Sequence, residues 1–141
     1  MIKELGRFYL SDENDFILGK YEEVNRLLGR AYWVKDRSDD MMRLAMEHSL
    51  NYAIFERDTG RLAGFARVIT DFATMYYLSD VIIDEDFRGM GLGKALVGHI
   101  VMDDERLQHI GGSLKTKDAQ SLYARFGFAE SDVTYMFQKR Q

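Results

Sequence analysis

Apolar residues recur along this chain at two spacings, and the change of spacing separates predicted helices from predicted strands. A helix is predicted over residues 21–31, where apolar side chains return every three or four positions. Strands are predicted over residues 51–56 and 62–69, because these short apolar runs are joined by a polar turn that ends in Gly60. The first half of the chain therefore combines helix with an antiparallel β-hairpin.

The second half of the chain alternates strands with helices. A short strand at residues 7–10 and a helix capped by the cluster Ser38-Asp39-Asp40 complete the N-terminal part. Later strands are predicted over residues 74–83, 110–116 and 133–138, and later helices over residues 91–102 and 119–126. The order β-α-α-β-β-β-α-β-α-β predicts an α/β fold whose sheet is antiparallel early and gains a crossover helix later. We expect residues 1–141 to form a single domain.

Composition removes several classes of function. The 141 residues are 46% hydrophobic, and the formal net charge of -4 indicates no general affinity for nucleic acid or an anionic membrane. The absence of cysteine excludes disulfides, a thiolate nucleophile and cysteine-based zinc sites. His48, His99 and His109 lack the spacing of metal ligands, so no metal is predicted. A secretory signal and a bilayer-spanning apolar run are both missing, and a cytoplasmic protein is expected.

The most informative stretch is Arg88-Gly89-Met90-Gly91-Leu92-Gly93, which follows a predicted strand and opens a predicted helix. Glycines permit positive φ and a close approach of the backbone to a ligand. The free N–H groups of a first helical turn attract an anion, and the guanidinium of Arg88 is suited to phosphate. This turn predicts a phosphate-binding loop. The alternative is that the glycines only allow a tight strand-to-helix turn.

The spacing of these glycines argues against two common nucleotide sites. A P-loop requires Gly-Lys followed by Ser or Thr, but Gly93-Lys94 is followed by Ala95, so no hydroxyl is available for magnesium. A dinucleotide-binding fingerprint requires Gly-x-Gly-x-x-Gly, whereas Lys94 stands where its third glycine would be. ATP and NAD are therefore not the expected ligands.

Two motifs together point to a different ligand. The pattern Arg-x-x-Gly-x-Gly after a strand resembles the acetyl-CoA pyrophosphate loop of the GNAT N-acetyltransferase superfamily. Downstream, Ala119-Gln120-Ser121-Leu122-Tyr123-Ala124-Arg125-Phe126-Gly127-Phe128 matches that superfamily's second signature, Ala-x-x-x-Tyr-x-x-x-Gly-Phe. Each motif alone is moderately specific, but both occur in order with a helix and a strand between them. The weaker similarity runs from about residue 52 to the C-terminus.

The resemblance implies a GNAT-like mixed central sheet and a cytoplasmic acyltransferase. Acetyl would pass from acetyl-CoA, the co-substrate, to a primary amine by direct attack in a ternary complex. The acceptor amine would belong to a small molecule or a peptide. The alternative function is a non-catalytic acyl-CoA-binding sensor or regulatory module. A further expectation is that the run Val133-Thr134-Tyr135-Met136-Phe137 forms an edge that could pair with another chain and give a homodimer.

The resemblance also implies which residues contact CoA. The backbone of the glycine turn would hold the diphosphate, and the pantetheine arm would pair with the preceding strand in a gap beside residues 114–116. A β-bulge near Asp80 would direct an N–H toward the thioester carbonyl. The residues assigned to CoA are Val81, Ile82, Ile83, Arg88, Gly89, Met90, Gly91, Leu92, Gly93, Lys94 and Thr116.

Two positions depart from the superfamily pattern. Thr116 stands where asparagine is common, and its hydroxyl is the group available to pantetheine. The stretch Asp84-Glu85-Asp86-Phe87 occupies the place where proline is common. Its acidity is unfavourable beside a diphosphate unless the carboxylates point outward.

Tyr123 is the first catalytic candidate, by the role that the resemblance implies. Transfer to an amine expels CoA as a thiolate, and a phenol with a pKa of about 10 can donate a proton or a hydrogen bond to it. The structural alternative is a core tyrosine on an amphipathic helix with Leu122 and Phe126.

Asp80 is the second catalytic candidate, as the general base that takes the proton of the acceptor ammonium. It could equally cap or hydrogen-bond a neighbouring loop. Tyr77 and Asp71 are alternatives for the base, and many members of the superfamily use a chain of waters instead. For the acceptor pocket, Trp33 and Tyr77 are the predicted lining residues, on the basis of aromatic density.

Overall fold

The computed structural model describes residues 1–31 and 37–139, and its sheet contains six strands within those residues. The strands are β1 (Ile2–Leu5), β2 (Phe8–Ser11), β3 (Leu50–Glu56), β4 (Leu62–Thr70), β5 (Met75–Ile83) and β6 (Gly111–Ser113). They lie side by side in sequence order. Neighbouring strands are antiparallel except β5 and β6, which are parallel. The expected α/β fold with a mixed sheet is therefore confirmed.

Five α-helices connect or flank these strands in the described part of the chain. They are α1 (Asn14–Leu18), α2 (Tyr21–Leu28), α3 (Asp39–Glu47), α4 (Leu92–Gly98) and α5 (Gln120–Ala124). A 3-10 turn (Glu85–Phe87) precedes α4, and a π-helical turn (His99–Asp103) extends it. Helix α3 begins where the sequence predicts, because Ser38 Oγ accepts a hydrogen bond from the N–H of Met41 at 3.1 Å.

The sheet carries an apolar core on each face. Alternation along β3 assigns Tyr52 and Ile54 to the core that α4 and α5 cover, and Ala53 and Phe55 to the core that α1, α2 and α3 cover. Because both faces are covered, β3 is buried along nearly its whole length. The crossover from β5 to β6 runs through α4, which places its N-terminus at the end of β5.

The described structure differs from the sequence prediction at both ends. The prediction of a last strand over residues 133–138 is wrong: residues 128–139 form no helix or strand, and Val133, Tyr135, Met136 and Phe137 are exposed. High β-propensity is not sufficient, because a strand exists only where a neighbour completes its hydrogen bonds. Strand β1 and helix α1 are additional elements, and β6 is shorter than its predicted span of 110–116.

No helix in the described ranges 1–31 and 37–139 has the length and apolar character needed to cross a membrane.

Candidate active site

A cleft opens where β5 and β6 separate. Strand β6 pairs only with the first three residues of β5, Met75 to Tyr77. Beyond Ser113 the segment that follows β6 no longer pairs with β5. The cleft between them has a volume of about 500 Å³. Its lining residues are Arg37, Tyr77, Leu78, Ser79, Asp80, Val81, Lys115, Thr116, Lys117, Asp118, Ala119 and Tyr123. One wall is therefore the unpaired edge of β5, and the opposite wall is the segment that leads from β6 into α5.

The β-bulge expected near Asp80 is present in the β5 wall. Between the pairs Phe65–Ile82 and Arg67–Ser79, two residues of β5 lie opposite one residue of β4. Asp80 itself has a φ of 55°, which is uncommon for a residue with a side chain. The bulge interrupts the regular register of β5 three residues past Tyr77, the last residue of β5 that pairs with β6.

Asp80 is the most heavily paired carboxylate of the cleft. Its side chain is 2% exposed, and both nitrogens of the Arg37 fork donate to it, Nη1 to Oδ2 at 2.7 Å and Nη2 to Oδ1 at 3.0 Å. Arg67 Nε donates to Oδ2 at 2.9 Å. Burial raises the pKa of Asp80, but the hydrogen bonds and charges of Arg37 and Arg67 outweigh it, so this pKa lies below the ordinary value. The carboxylate therefore stays ionised and is a weak proton acceptor.

Tyr123 lies on α5 and lines the opposite wall of the cleft. It is 8% exposed, and its ring meets that of Phe128 edge to face, with centroids 6.1 Å apart. Burial raises the pKa of this phenol. The hydroxyl is therefore fully protonated near neutral pH and can act as a proton donor. The structure thus brings Tyr123 and the β5 bulge to the same cleft.

The glycine turn lies just past the end of β5 and begins α4. Gly89 and Gly91 have φ values of 80° and 77°, in the left-handed region, and nothing lies within 4 Å of a Cβ built on either. Glycine is needed for these backbone angles, and the open space over the turn suits the close approach of a ligand. Gly93 differs, because a Cβ there would contact Ile83 at an ordinary 3.8 Å. This cradle fits a diphosphate that is held by backbone N–H groups.

Arginines neutralise the acidic stretch that precedes the turn. Arg30 and Arg61 pair with Asp84 at 3.0 and 3.3 Å, and Arg61 also pairs with Asp86 at 2.6 Å. Burial raises the pKa of Asp84, but the N–H of Asp86 and the two arginines outweigh it and hold that pKa below its usual value. Asp84 therefore remains ionised, and the arginines offset its charge and that of Asp86 beside the glycine turn.

The other sequence-predicted residues fall into four groups. Tyr77, Val81 and Thr116 line the cleft, and Thr116 Oγ also accepts a hydrogen bond from the N–H of Ala119 at 3.0 Å. Ile82 is buried in the core, so only its backbone is available to a ligand. The second predicted pocket residue, Trp33, lies outside the described residues. The remaining predicted CoA contacts are the turn residues Arg88, Gly89, Met90, Gly91, Leu92, Gly93 and Lys94, together with Ile83, whose carbonyl accepts from Arg88 Nε at 3.2 Å.

Sequence reasoning missed the cationic groups of the cleft. Arg37 directly precedes the cap of α3, and nothing in the sequence links it to Asp80, 43 positions later. The sequence predicts Lys115 on the strand beside the pantetheine gap but assigns it no contact, whereas its Nζ donates to the hydroxyl of Tyr135 at 2.8 Å. That bond raises the pKa of Lys115. Among the described residues, no group of three or more His, Cys, Asp or Glu side chains could hold a metal ion.

Comparison with known proteins gives this site its context. The family described as "Acetyltransferase (GNAT) domain" matches residues 48–130, which include the glycine turn, α5 and every lining residue of the cleft except Arg37. An uncharacterised N-acetyltransferase of Porphyra purpurea, ycf52, is 31% identical over 129 residues, or 89% of this chain and 72% of that relative. The structure of a GNAT-family acetyltransferase from Xanthomonas campestris pv. campestris has a TM-score of 0.83 and 33% identity, covering 96% of both chains.

The chain belongs to the GNAT acetyltransferase family. The resemblance drawn from the two motifs is therefore confirmed, and the family membership supports acetyl transfer with acetyl-CoA as the family's co-substrate. More distant structures share the fold alone, such as an acetyltransferase of Deinococcus radiodurans R1 with a TM-score of 0.75 and 13% identity.

Proposed function

We propose that this protein transfers the acetyl group of acetyl-CoA to a primary amine by direct attack in a ternary complex. The observation that carries the proposal is the cleft of about 500 Å³, because it brings the β5 bulge at Asp80 and the phenol of Tyr123 to one space. The glycine turn follows β5 after one 3-10 turn, so one extended ligand could follow the strand edge from the glycine turn to the bulge. The family match supports the same assignment.

Binding of the co-substrate is assigned to backbone more than to side chains. The N–H groups of the glycine turn would hold the diphosphate, and the unpaired edge of Val81, Ile82 and Ile83 would pair with the pantetheine arm. The hydroxyl of Thr116 is a further polar group of the cleft. The N–H groups at the bulge would then stabilise negative charge on the thioester carbonyl oxygen as the amine attacks.

Tyr123 is proposed as the general acid. The nitrogen of the amine forms a bond to the acyl carbon, the carbon–sulfur bond breaks, and the departing thiolate takes a proton from the phenol or from water. Tyr123 keeps that proton near neutral pH before the reaction, and its raised pKa also makes it a weaker acid than a free phenol.

The contacts of Asp80 favour a structural role, as a hydrogen-bond partner of a neighbouring segment, over the role of general base. A base must accept the ammonium proton, but the carboxylate of Asp80 already accepts three hydrogen bonds from two guanidiniums. We propose that water removes the proton of the acceptor and that Asp80 hydrogen-bonds the neighbouring segment that carries Arg37.

The test is a thiol-release assay with acetyl-CoA and a panel of primary amines, combined with thermal shifts. CoA should stabilise the fold and ATP and NAD should not, with about 2.7 kcal/mol expected when ligand is present at about 100 times its dissociation constant. Thiol release that depends on both the amine and the enzyme supports the proposal. Stabilisation by CoA without thiol release from any amine would instead indicate an acyl-CoA sensor.

A further inference from the structure

A buried network joins the β5 bulge to both ends of helix α3. At the start of the helix, Arg37 directly precedes the N-cap Ser38 and donates two hydrogen bonds to Asp80. At the end of the helix, Ser49 Oγ donates to the carbonyl of Ala45 at 2.7 Å.

Arg67 completes the connection from the helix end to the bulge. Its Nη1 donates to Ser49 Oγ at 3.1 Å, and its Nε donates to Asp80 Oδ2 at 2.9 Å. Asp80 is therefore bonded to the start of α3 through Arg37 and is linked to its end through Arg67 and Ser49. The side chains of Arg67 and Arg37 are 10% and 23% exposed, so the bonds are shielded from water.

Arg37 is also tied to a second helix. Its backbone carbonyl accepts a hydrogen bond from the side-chain amide of Asn25 on α2, with Nδ2 at 2.9 Å. The same nitrogen of Asn25 also donates to Asp39 Oδ1 at 2.8 Å. The side chain of Arg37 lines the cleft. The residue thus joins α2, the start of α3 and the bulge, and the part of the cleft that its side chain lines is called here the Arg37 wall.

We propose that Asp80, Arg37 and Arg67 are positioning residues, which fix α3 and the Arg37 wall of the cleft in the geometry that binds the acceptor. This inference rests on the proposed acetyl transfer. Removing one partner of a buried ion pair leaves the other charge uncompensated, so loss of Asp80 or Arg37 would release the wall. The acceptor would still enter the cleft, but in a poorly defined position.

The test compares Asp80→Asn, Arg37→Gln and the double variant. The matched control is Arg106→Gln. Arg106 also donates two hydrogen bonds to a buried carboxylate, from Nε to Asp104 Oδ1 at 2.9 Å and from Nη2 to Asp104 Oδ2 at 2.7 Å, and neither residue lines the cleft. Each cleft variant should raise the KM for the acceptor about tenfold or more and leave the KM for acetyl-CoA within about twofold. The acceptor KM of the double variant should be no higher than that of the more impaired single variant, because both substitutions break the same Arg37–Asp80 ion pair. The control should keep the acceptor KM.

A pH profile and hydrogen exchange separate positioning from the alternatives. The pH–rate profile of Asp80→Asn should keep its shape, and the amides of α3 should exchange faster in both cleft variants but not in Arg106→Gln. Loss of the ascending limb in Asp80→Asn would overturn the proposal and make Asp80 the base. Unchanged α3 exchange would also overturn it. If no amine releases thiol from acetyl-CoA, the proposed function fails. Hydrogen exchange of the α3 amides then still decides whether Asp80 holds α3 against the sheet.

Discussion

Two buried tyrosines show what a single residue contributes to this site. Tyr123 and Tyr76 belong to the same core, and burial raises the pKa of both phenols. Tyr123 lines the cleft, whereas Tyr76 packs against Gly112 at the junction of β5 and β6. The two residues therefore share their burial and differ in their access to a bound substrate.

Replacing Tyr123 by Phe should lower turnover by about 10²- to 10⁴-fold if the phenol is the general acid, because the substitution removes the proton donor and keeps the ring. The loss should appear in kcat more than in the KM for acetyl-CoA, since proton donation matters in the transition state. Steady-state kinetics with CoA affinity measured alongside provide the test. Tyr76→Phe is the control and should retain turnover. Turnover of Tyr123→Phe within twofold of the parent would assign Tyr123 to the core alone.

The sequence predicts those site residues that belong to local motifs. Tyr123 is found from its distance to the Gly-Phe pair and Thr116 from its place before Tyr123, and both line the cleft. Arg37 has no such motif, because its partner Asp80 is brought to it by the packing of α3 on the sheet. The role of Asp80 could not be decided from sequence for the same reason: the groups that lower its pKa come from other elements.

At the scale of elements, the turn between β5 and α4 depends on a backbone conformation that glycine adopts readily. Gly91 directly precedes α4 with a φ of 77°, and its carbonyl accepts the first helical hydrogen bond, from Ala95 at 3.0 Å. Gly60, in the turn between β3 and β4, has a similar φ of 72° and equally open surroundings. The two glycines differ in that only Gly91 belongs to the proposed diphosphate cradle.

The variant Gly91→Val should lose CoA binding, while Gly60→Val should keep it. Both substitutions place a branched side chain at positive φ, so each should cost about 1–2 kcal/mol or somewhat more of folding free energy. At Gly91 the side chain also fills the space that a diphosphate would occupy. Calorimetric titration with CoA and urea unfolding of both variants separate these effects. Tight CoA binding by Gly91→Val would place the cradle elsewhere.

The junction of β5 and β6 depends on another glycine for a steric reason. A Cβ on Gly112 would lie 2.1 Å from Cζ of Tyr76, whose ring is buried, whereas a Cβ on neighbouring Gly111 would meet nothing within 4 Å. Gly112→Ala should therefore destabilise the fold by about 1–3 kcal/mol through overpacking. Gly111→Ala should change the urea midpoint little. Equal midpoints for the two variants would show that Tyr76 can move aside without cost.

Elements were predictable where their apolar pattern is long, and missed where it is short. Helix α2 repeats its apolar positions at helical spacing, and the hairpin of β3 and β4 has two apolar runs joined by a polar turn; the structure contains both. Helix α1 has five residues and buries only Ile17, too few for a periodicity to appear. Strand β1 is an exposed edge strand, although Gly6 in the two-residue loop before β2 was a usable hairpin signal.

At the scale of the whole molecule, the acidic chain buries several of its carboxylates beside arginines. Asp80, Asp84 and Asp104 are each at most 6% exposed. Asp104 accepts hydrogen bonds from Arg106 and, at 2.5 Å, from Tyr52. Burial raises the pKa of Asp104, but these bonds outweigh it, and the pKa values of all three groups lie below the ordinary value. The folded state therefore holds these carboxylates ionised over a wider pH range than the unfolded chain does.

This difference predicts that the protein is stable near neutral pH and loses stability in acid. Below the ordinary aspartate pKa of about 3.9, the unfolded chain takes up protons that the folded protein does not, so stability should fall as pH decreases through the lower folded values. Urea midpoints between pH 7 and pH 3 measure this fall. Asp104→Asn should be less stable at pH 7 and show a shallower decline, because one depressed group is gone while Tyr52 keeps a partner. A decline as steep as that of the parent would mean that Asp104 does not contribute to the acid sensitivity and that other carboxylates dominate it.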